Sequence, residues 1–269
     1  MPDLFDSILI SSVKSTILEL LSLKTLENDE KANPVIRTLA EKKLGGKKID
    51  RAVIYNPDAV ALWLYQKYTH LFTEAAVNSD LALPMLSVMP SVTPVCFASM
   101  YTGLMPEKHG IKAYVKPVLK CDTVFDRFIA ENKKAAIVST SGDSISKIFL
   151  EREMDYFIYD TIEEVNKKAM ELIDEDNYDL IVIYNGNYDS TMHGVGPENE
   201  KSIEVLKENL AYYNELIKVI KEKWAKHNVF FGFCPDHGCH EIDGGFGSHG
   251  LEMEEDMNVI HFYGIKKAE

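Results

Sequence analysis

Aspartate and histidine recur in this 269-residue chain in four short stretches whose chemistry suits divalent metal ions. They are Asn56-Pro57-Asp58, the run Asp189-Ser190-Thr191-Met192-His193, the pair Asp236-His237, and His249 in the glycine-rich loop GGFGSHG. Carboxylate oxygens and imidazole nitrogens without thiolate suit Zn2+, Mn2+ or Fe2+. Two cations about 3.5–4 Å apart need at least about three protein ligands each, and Asp58, Asp189, His193, Asp236, His237 and His249 are six. A hydroxyl can join them. Thr93 stands directly before Pro94 and an apolar run. Thr is a good helix cap and Pro suits the first helical position, so Thr93 is expected at a helix start. There the positive end of the helix dipole favours an alkoxide and a bound phosphate, and a metal ion would lower the hydroxyl's pKa further. Each piece also has a plainer use. Asp58 and Thr93 could simply cap helices, Asp189 to His193 could be a turn, and His249 a loop histidine. Their common placement argues against four separate plain uses.

That placement follows from the elements. Apolar runs at 51–55, 134–139, 179–184, 228–234 and 258–263 predict strands, with weaker candidates at 71–76 and 155–159. Helical spacing predicts helices over 5–24, 59–68, 94–102, 122–131, 161–174 and 199–225. Strands alternating with helices pair in parallel through crossovers. The runs AAIV, LIVIY and VFFGF are apolar on both faces, as strands covered on both sides must be. The expected fold is therefore α/β, a three-layer α/β/α sandwich on a mostly parallel central sheet, with residues 1–269 as one domain. Such sheets bind ligands beyond the C-terminal ends of their strands. Asp58, Asp189 and Asp236 all follow a predicted strand.

Composition narrows the function. The net charge is −13, which disfavours long nucleic acid as a partner. A small phosphate ester stays compatible if metal ions make a local positive centre. Asp3 and Asp6 stand where a signal peptide would be basic, and no run reaches the length of a membrane helix. With Cys96, Cys121, Cys234 and Cys239 forming no CxxC pair, reduced thiols in a cytoplasmic, non-membrane protein are expected. Cys234 and Cys239 are read as small buried hydrophobes rather than ligands. A dinucleotide-binding oxidoreductase would need GxGxxG after the first strand, where Asn56-Pro57-Asp58 stands instead. Oligomeric state is not legible.

Residues 90–111, PSVTPVCFASMYTGLMPEKHGI, resemble the nucleophile segment of the type I phosphodiesterase / nucleotide pyrophosphatase family within the alkaline phosphatase superfamily. That family shows P-T-x-T, then T-G nine residues beyond the nucleophile, then P-E-x-H-G-I. Here Thr102-Gly103 lies nine residues beyond Thr93, followed by Pro106-Glu107 and His109-Gly110-Ile111. Sulfatases keep the interval but need Cys or Ser for conversion to formylglycine, which Thr cannot undergo. Asp189 to His193 is similar to D-S-x-G-H, Pro235 to Gly238 to S-D-H-G, and Ser248-His249-Gly250 to x-H-G. The resemblance implies one zinc on Asp189, His193 and His249. It implies a second on Asp58, Asp236 and His237 with the Thr93 hydroxyl. It further implies hydrolysis of a phosphodiester through a phosphothreonine, and His109 and His240 are read as supporting rather than catalytic residues. Two departures stand out. Pro94 replaces an aromatic that stacks on a nucleobase, and Tyr114 stands where the family has an asparagine oxyanion donor. Tyr114 or Lys112 is the expected substitute. Phosphomonoesterases, phosphonate hydrolases and phosphomutases share the cage and remain alternatives, as does a non-catalytic binding domain.

Overall fold

The computed structural model describes residues 8–269. Asp3, Asp6 and the first residues of the predicted helix 5–24 lie outside that range. Its strands are β1 Arg51–Pro57, β2 Leu81–Leu86, β3 Ala135–Thr140, β4 Asp155–Tyr159, β5 Leu180–Asn185, β6 Val229–Phe233, β7 His240–Ile242, β8 Phe246–Ser248 and β9 Asn258–Lys266. The helices of the first half are α1 Ser12–Leu20, α2 Pro34–Leu44, α3 Leu62–Lys67, α4 Thr73–Asn78, α5 Thr93–Thr102, α6 Pro106–His109 and α7 Val124–Ala130. Those of the second half are α8 Ser144–Ile148, α9 Ile162–Glu175, α10 Asn187–Val195, α11 Glu200–Lys223 and α12 Glu254–Met257.

Seven strands form one sheet in the order β2-β9-β6-β1-β5-β3-β4, and β7 pairs with β8 in a separate hairpin. The five strands from β6 to β4 run parallel, while β9 is antiparallel to both β6 and β2. Side chains alternate across the sheet, as the period of two demands. Ala52, Ile54, Leu180 and Val182 face a core built with α1, α2, α5, α7 and α8. Val53, Tyr55, Ile181 and Ile183 face the other core, built with α3, α4, α9, α10 and α11. This is the expected three-layer sandwich. Because both sheet faces are covered, the central strands had to be apolar throughout, and β1, β5 and β6 were legible for that reason.

The weaker assignments divide. Residues 155–159 are indeed a strand, but 71–76 are not. A 3-10 turn over Thr69–Phe72 runs into α4, burying Phe72 and Ala75 three residues apart, which is helical spacing. Strand β2 went unpredicted because Pro84 interrupts it; it sits at the sheet edge, where Pro is tolerated. Helix α2 also went unpredicted, although Asn33 caps it, Pro34 opens it and Gly45 closes it in the left-handed region. No helix among the described residues is long and apolar enough to cross a membrane.

Candidate metal centre

The three adjacent central strands β6, β1 and β5 each end in a ligand-bearing segment. Asp58 directly follows β1, Asp189 and His193 lie on α10 just after β5, and Asp236-His237 follow β6. His249 comes from the exit of β8. Thr93 is the first residue of α5, the segment that follows β2. So residues spread over most of the chain meet at one sheet edge.

Their atoms converge. The Thr93 hydroxyl donates towards Asp58 Oδ2 at 3.4 Å and lies 3.3 Å from His237 Nε2. His237 Nε2 is 3.2 Å from Asp58 Oδ1 and 3.5 Å from Asp236 Oδ2. Asp189 Oδ1 lies 3.3 Å from His193 Nε2 and 3.4 Å from His249 Nε2. Asp189, His193 and His249 present ligand atoms within 4.8 Å of one another, and so do Asp58, Asp189 and His237. The first trio is the one the sequence suggested. In the second, Asp189 takes the place expected of Asp236, which stands beside it. Neither Thr93 nor Asp58 acts as a cap. Helix α5 has Val92 at its N-cap with no side-chain bond, and α3 starts only at Leu62.

The histidines are arranged as ligands. Nδ1 of His193, His237 and His249 each lies 2.9 Å from a backbone carbonyl, of Gly247, Gly238 and Ser91 respectively. A carbonyl only accepts, so each Nδ1 carries the proton and each Nε2 turns a lone pair to the cluster. The carboxylates are strained by charge. Burial, then the nearby Asp189 charge, pushes Asp58 up to about 6, against the pull of His237 and a 2.5 Å bond from the Tyr184 hydroxyl. Burial, then Asp58, holds Asp236 well above the usual carboxylate range. For Asp189 burial pushes upward, but the three neighbouring imidazoles of His193, His237 and His249 outweigh it and the net shift is downward. Burial drives His249 down to about 3.

Asp58 Oδ1, Asp189 Oδ1 and both Asp236 oxygens are buried with no hydrogen-bond donor. Leaving such groups unpaired is costly, and paired or metal-coordinated carboxylates are the rule. The donor set, three carboxylates and three Nε2 lone pairs, therefore fits divalent cations. The four cysteines are free; Cys234 and Cys239 are buried and outside the cluster, as expected.

A cavity of about 400 Å3 opens beside Thr93, Asp58 and Asp189 and is lined further by Tyr114, Lys116 and Asn187. Tyr114, expected as a substrate contact, is one of the lining residues. Lys112 is exposed and does not line the cavity. Lys116 does, its Nζ donating to the Gly142 carbonyl at 2.9 Å and lying over the Tyr114 ring. His109 and His240 lie outside the cluster, bound to Ser99 and Asp256. Tyr184 was not anticipated. The one available signal was a hydroxyl-bearing residue at the end of an apolar strand that leads into a ligand segment.

Residues 57–141 match the type I phosphodiesterase / nucleotide pyrophosphatase family. A relative from Schizosaccharomyces pombe, named an uncharacterised pyrophosphatase/phosphodiesterase, is 23% identical over 202 residues, 65% of this chain and 42% of its own. Among solved structures, human ectonucleotide pyrophosphatase / phosphodiesterase 5 superposes with a TM-score of 0.59 at 15% identity, covering 72% of this chain and 58% of that one. The murine protein, an inactive threonine-to-alanine variant in complex with AMP, gives 0.57 at 17% identity, with 72% and 59% covered. Phosphonoacetate hydrolase from Sinorhizobium meliloti 1021 in complex with phosphonoacetate gives 0.55 at 16%, with 74% and 60% covered. The shared fold is alkaline phosphatase-like. The chain spans less than two thirds of the length of each of these relatives.

Proposed function

We propose that this chain is a two-metal hydrolase of small phosphate esters, acting through Thr93, with a phosphodiester as its substrate class. One observation carries the reading. The Thr93 hydroxyl, at the mouth of a helix buried along its whole length, lies 3.3–3.4 Å from His237 and Asp58 beside carboxylate oxygens that no protein group satisfies. The family match over 57–141, which includes Thr93, supports the same assignment.

Asp189, His193 and His249 would hold one cation, and Asp58, Asp236 and His237 the other; zinc fits this nitrogen-and-oxygen set. Bound cations would supply the positive charge that lowers the hydroxyl's pKa and offsets charge on phosphoryl oxygens. The residues do the rest. Asp58 Oδ2 takes the hydroxyl's hydrogen bond and so turns an oxygen lone pair of Thr93 towards the cavity. Thr93 Oγ1 attacks phosphorus as its proton passes to Asp58 Oδ2, the P–O bond to the leaving group breaks, the departing alkoxide takes up a proton to leave as the alcohol, and a phosphothreonine forms. Water then attacks that phosphorus and restores the hydroxyl. Burial keeps α5 from shifting under the nucleophile, which preserves the alignment that in-line displacement needs. Tyr114 and Lys116, which line the cavity, would donate to a phosphoryl oxygen, the role expected of Tyr114 or Lys112.

A phosphonate hydrolase is the second reading, favoured by the likeness to the phosphonoacetate enzyme. The test loads the chain with Zn2+ or Mn2+ and compares p-nitrophenyl bis-ester, mono-ester and phosphonate substrates. The bis-ester should be turned over best. Thr93→Ala should keep its metal and lose roughly 10^3-fold or more in kcat/KM. Near-wild-type turnover by that variant would remove Thr93 from the mechanism, and preference for the phosphonate would favour the second reading.

A further inference from the structure

The two loops that carry Asp236-His237 and His249 are tied together by one carboxylate outside the metal cluster. Asp256, on α12, is completely buried. Its Oδ1 accepts from His240 Nδ1–H at 2.7 Å, and its Oδ2 accepts from the Leu251 amide at 2.9 Å. Its own carbonyl accepts from the Gly238 amide at 2.8 Å. Gly238 is the residue after His237, and Leu251 lies two residues beyond His249. The three bonds thus land on both sides of the cation site. The approach at Gly238 is close enough to require glycine, since a Cβ there would stand 2.0 Å from the Glu255 carbonyl oxygen. Ser87 completes the collar. Its amide donates to the Met257 carbonyl at 2.8 Å and its hydroxyl to the Asp236 carbonyl at 2.6 Å. Across the gap so defined, the His237 and His249 rings stack with centroids 4.0 Å apart. Among the described residues His240 is the ion-pair partner of Asp256, so no lysine or arginine explains the buried carboxylate.

We propose that Asp256 is a positioning residue that sets the spacing between the His237 and His249 ligand atoms, and hence the affinity of the site for its cations. The inference rests on the metal reading above and is separable from the role of Thr93. Deleting the carboxylate frees Leu251 and His240 while leaving every ligand in place. Partners of this kind typically change metal affinity by about 10- to 100-fold.

The experiment is a Zn2+ titration of the metal-free full chain in competition with a chromophoric chelator, paired with melting of the same metal-free samples. Asp256→Ala should weaken Zn2+ binding by about 10- to 100-fold. Asp256→Asn should recover most of it, because its oxygen still accepts from Leu251 and its amide can donate to the other tautomer of His240. His240→Ala, which leaves α12 untouched, should show a partial loss with unchanged metal-free melting, and it decides the matter if Asp256→Ala does not fold. Wild-type affinity in both alanine variants overturns the inference. So does an affinity loss matched in each variant, His240→Ala included, by a loss of metal-free melting temperature. Failure of the wild-type chain to take up Zn2+ overturns the metal reading and this inference with it. Zn2+ uptake without hydrolysis overturns the hydrolase reading and leaves this inference standing.

Discussion

His109, on α6 in the nucleophile segment, is buried between α5 and the chain that follows it. Its Nδ1 accepts from the Ile111 amide at 3.2 Å, so Nε2 carries the proton and donates to Ser99 Oγ at 2.9 Å. Burial, opposed weakly by Glu107, lowers it to about 4 from the ordinary 6.5. Between those values the unfolded chain holds a proton that the folded chain does not. Stability must therefore fall as pH drops from about 6.5 towards 4. His109→Gln, which can still donate and accept, is expected to lose less stability than wild type between pH 7 and 4.5, by denaturant melts at both values. Equal acid losses in the two proteins would contradict this assignment. The same residue shows what side-chain type alone conveys. The six metal-ligand candidates were legible jointly, because Asp58, Asp189 and Asp236 each follow a predicted strand and so fall at one sheet edge, where four separate plain uses would be a coincidence. Tyr184, Lys116 and Asp256 were not, because a hydroxyl, an ammonium or a carboxylate becomes a site residue only through what folding brings to it. Asp256 meets His240 sixteen residues away across a hairpin that no spacing rule announces.

Among the elements, α5 depends most on its neighbours, since all ten of its residues are buried and it must be held from every side. Lys14 on α1 does part of this. Its ammonium, with no side-chain exposure, bonds Asp29 and Asp122 at 2.9 Å and the Thr102 carbonyl at the end of α5 at 3.1 Å. A cation at a helix C-terminus is favourable there, and two carboxylates balance its burial. Lys14→Met would leave Asp29 without a cation and Asp122 with Arg127 alone. Breaking a buried pair from one side costs about 3–5 kcal/mol, so chemical denaturation should show a loss of that order. A change below about 1 kcal/mol, the range of exposed pairs, would mean that water already reaches this cluster. In the sequence Lys14 is only one of the charged residues within the helical pattern over 5–24. Its use depends on residues up to 108 positions away. The central strands needed no such help, because covering both faces of a sheet leaves an unbroken apolar record. The edge was harder. Pro84 in β2 and the short hairpin strands β7 and β8 have no two-sided burial to leave that record.

For the whole molecule the decisive quantity is charge. A chain with a net charge of −13 gathers Asp58, Asp189 and Asp236 at the end of its own sheet, where Asp236 is fully buried and Asp58 nearly so. Without cations this arrangement opposes folding, since burial and mutual repulsion act on the same carboxylates. With cations bound as proposed, it would become a site whose binding free energy adds to stability as RT ln(1 + [L]/Kd), about 2.7 kcal/mol at a hundredfold excess over Kd. The two regimes predict opposite signs for one substitution. Asp236→Asn removes a buried carboxyl whose ionisation is opposed by burial and by Asp58, and gives Asp58 an amide donor, so in the presence of a strong chelator the variant should melt above wild type. In excess Zn2+ the same change removes an anionic ligand, and the variant should melt below wild type. Paired thermal scans with chelator and with Zn2+ read both signs on one preparation. A shift of the same sign in both conditions would show that Asp236 is held by the fold itself, and would take one ligand out of the proposed pair of sites.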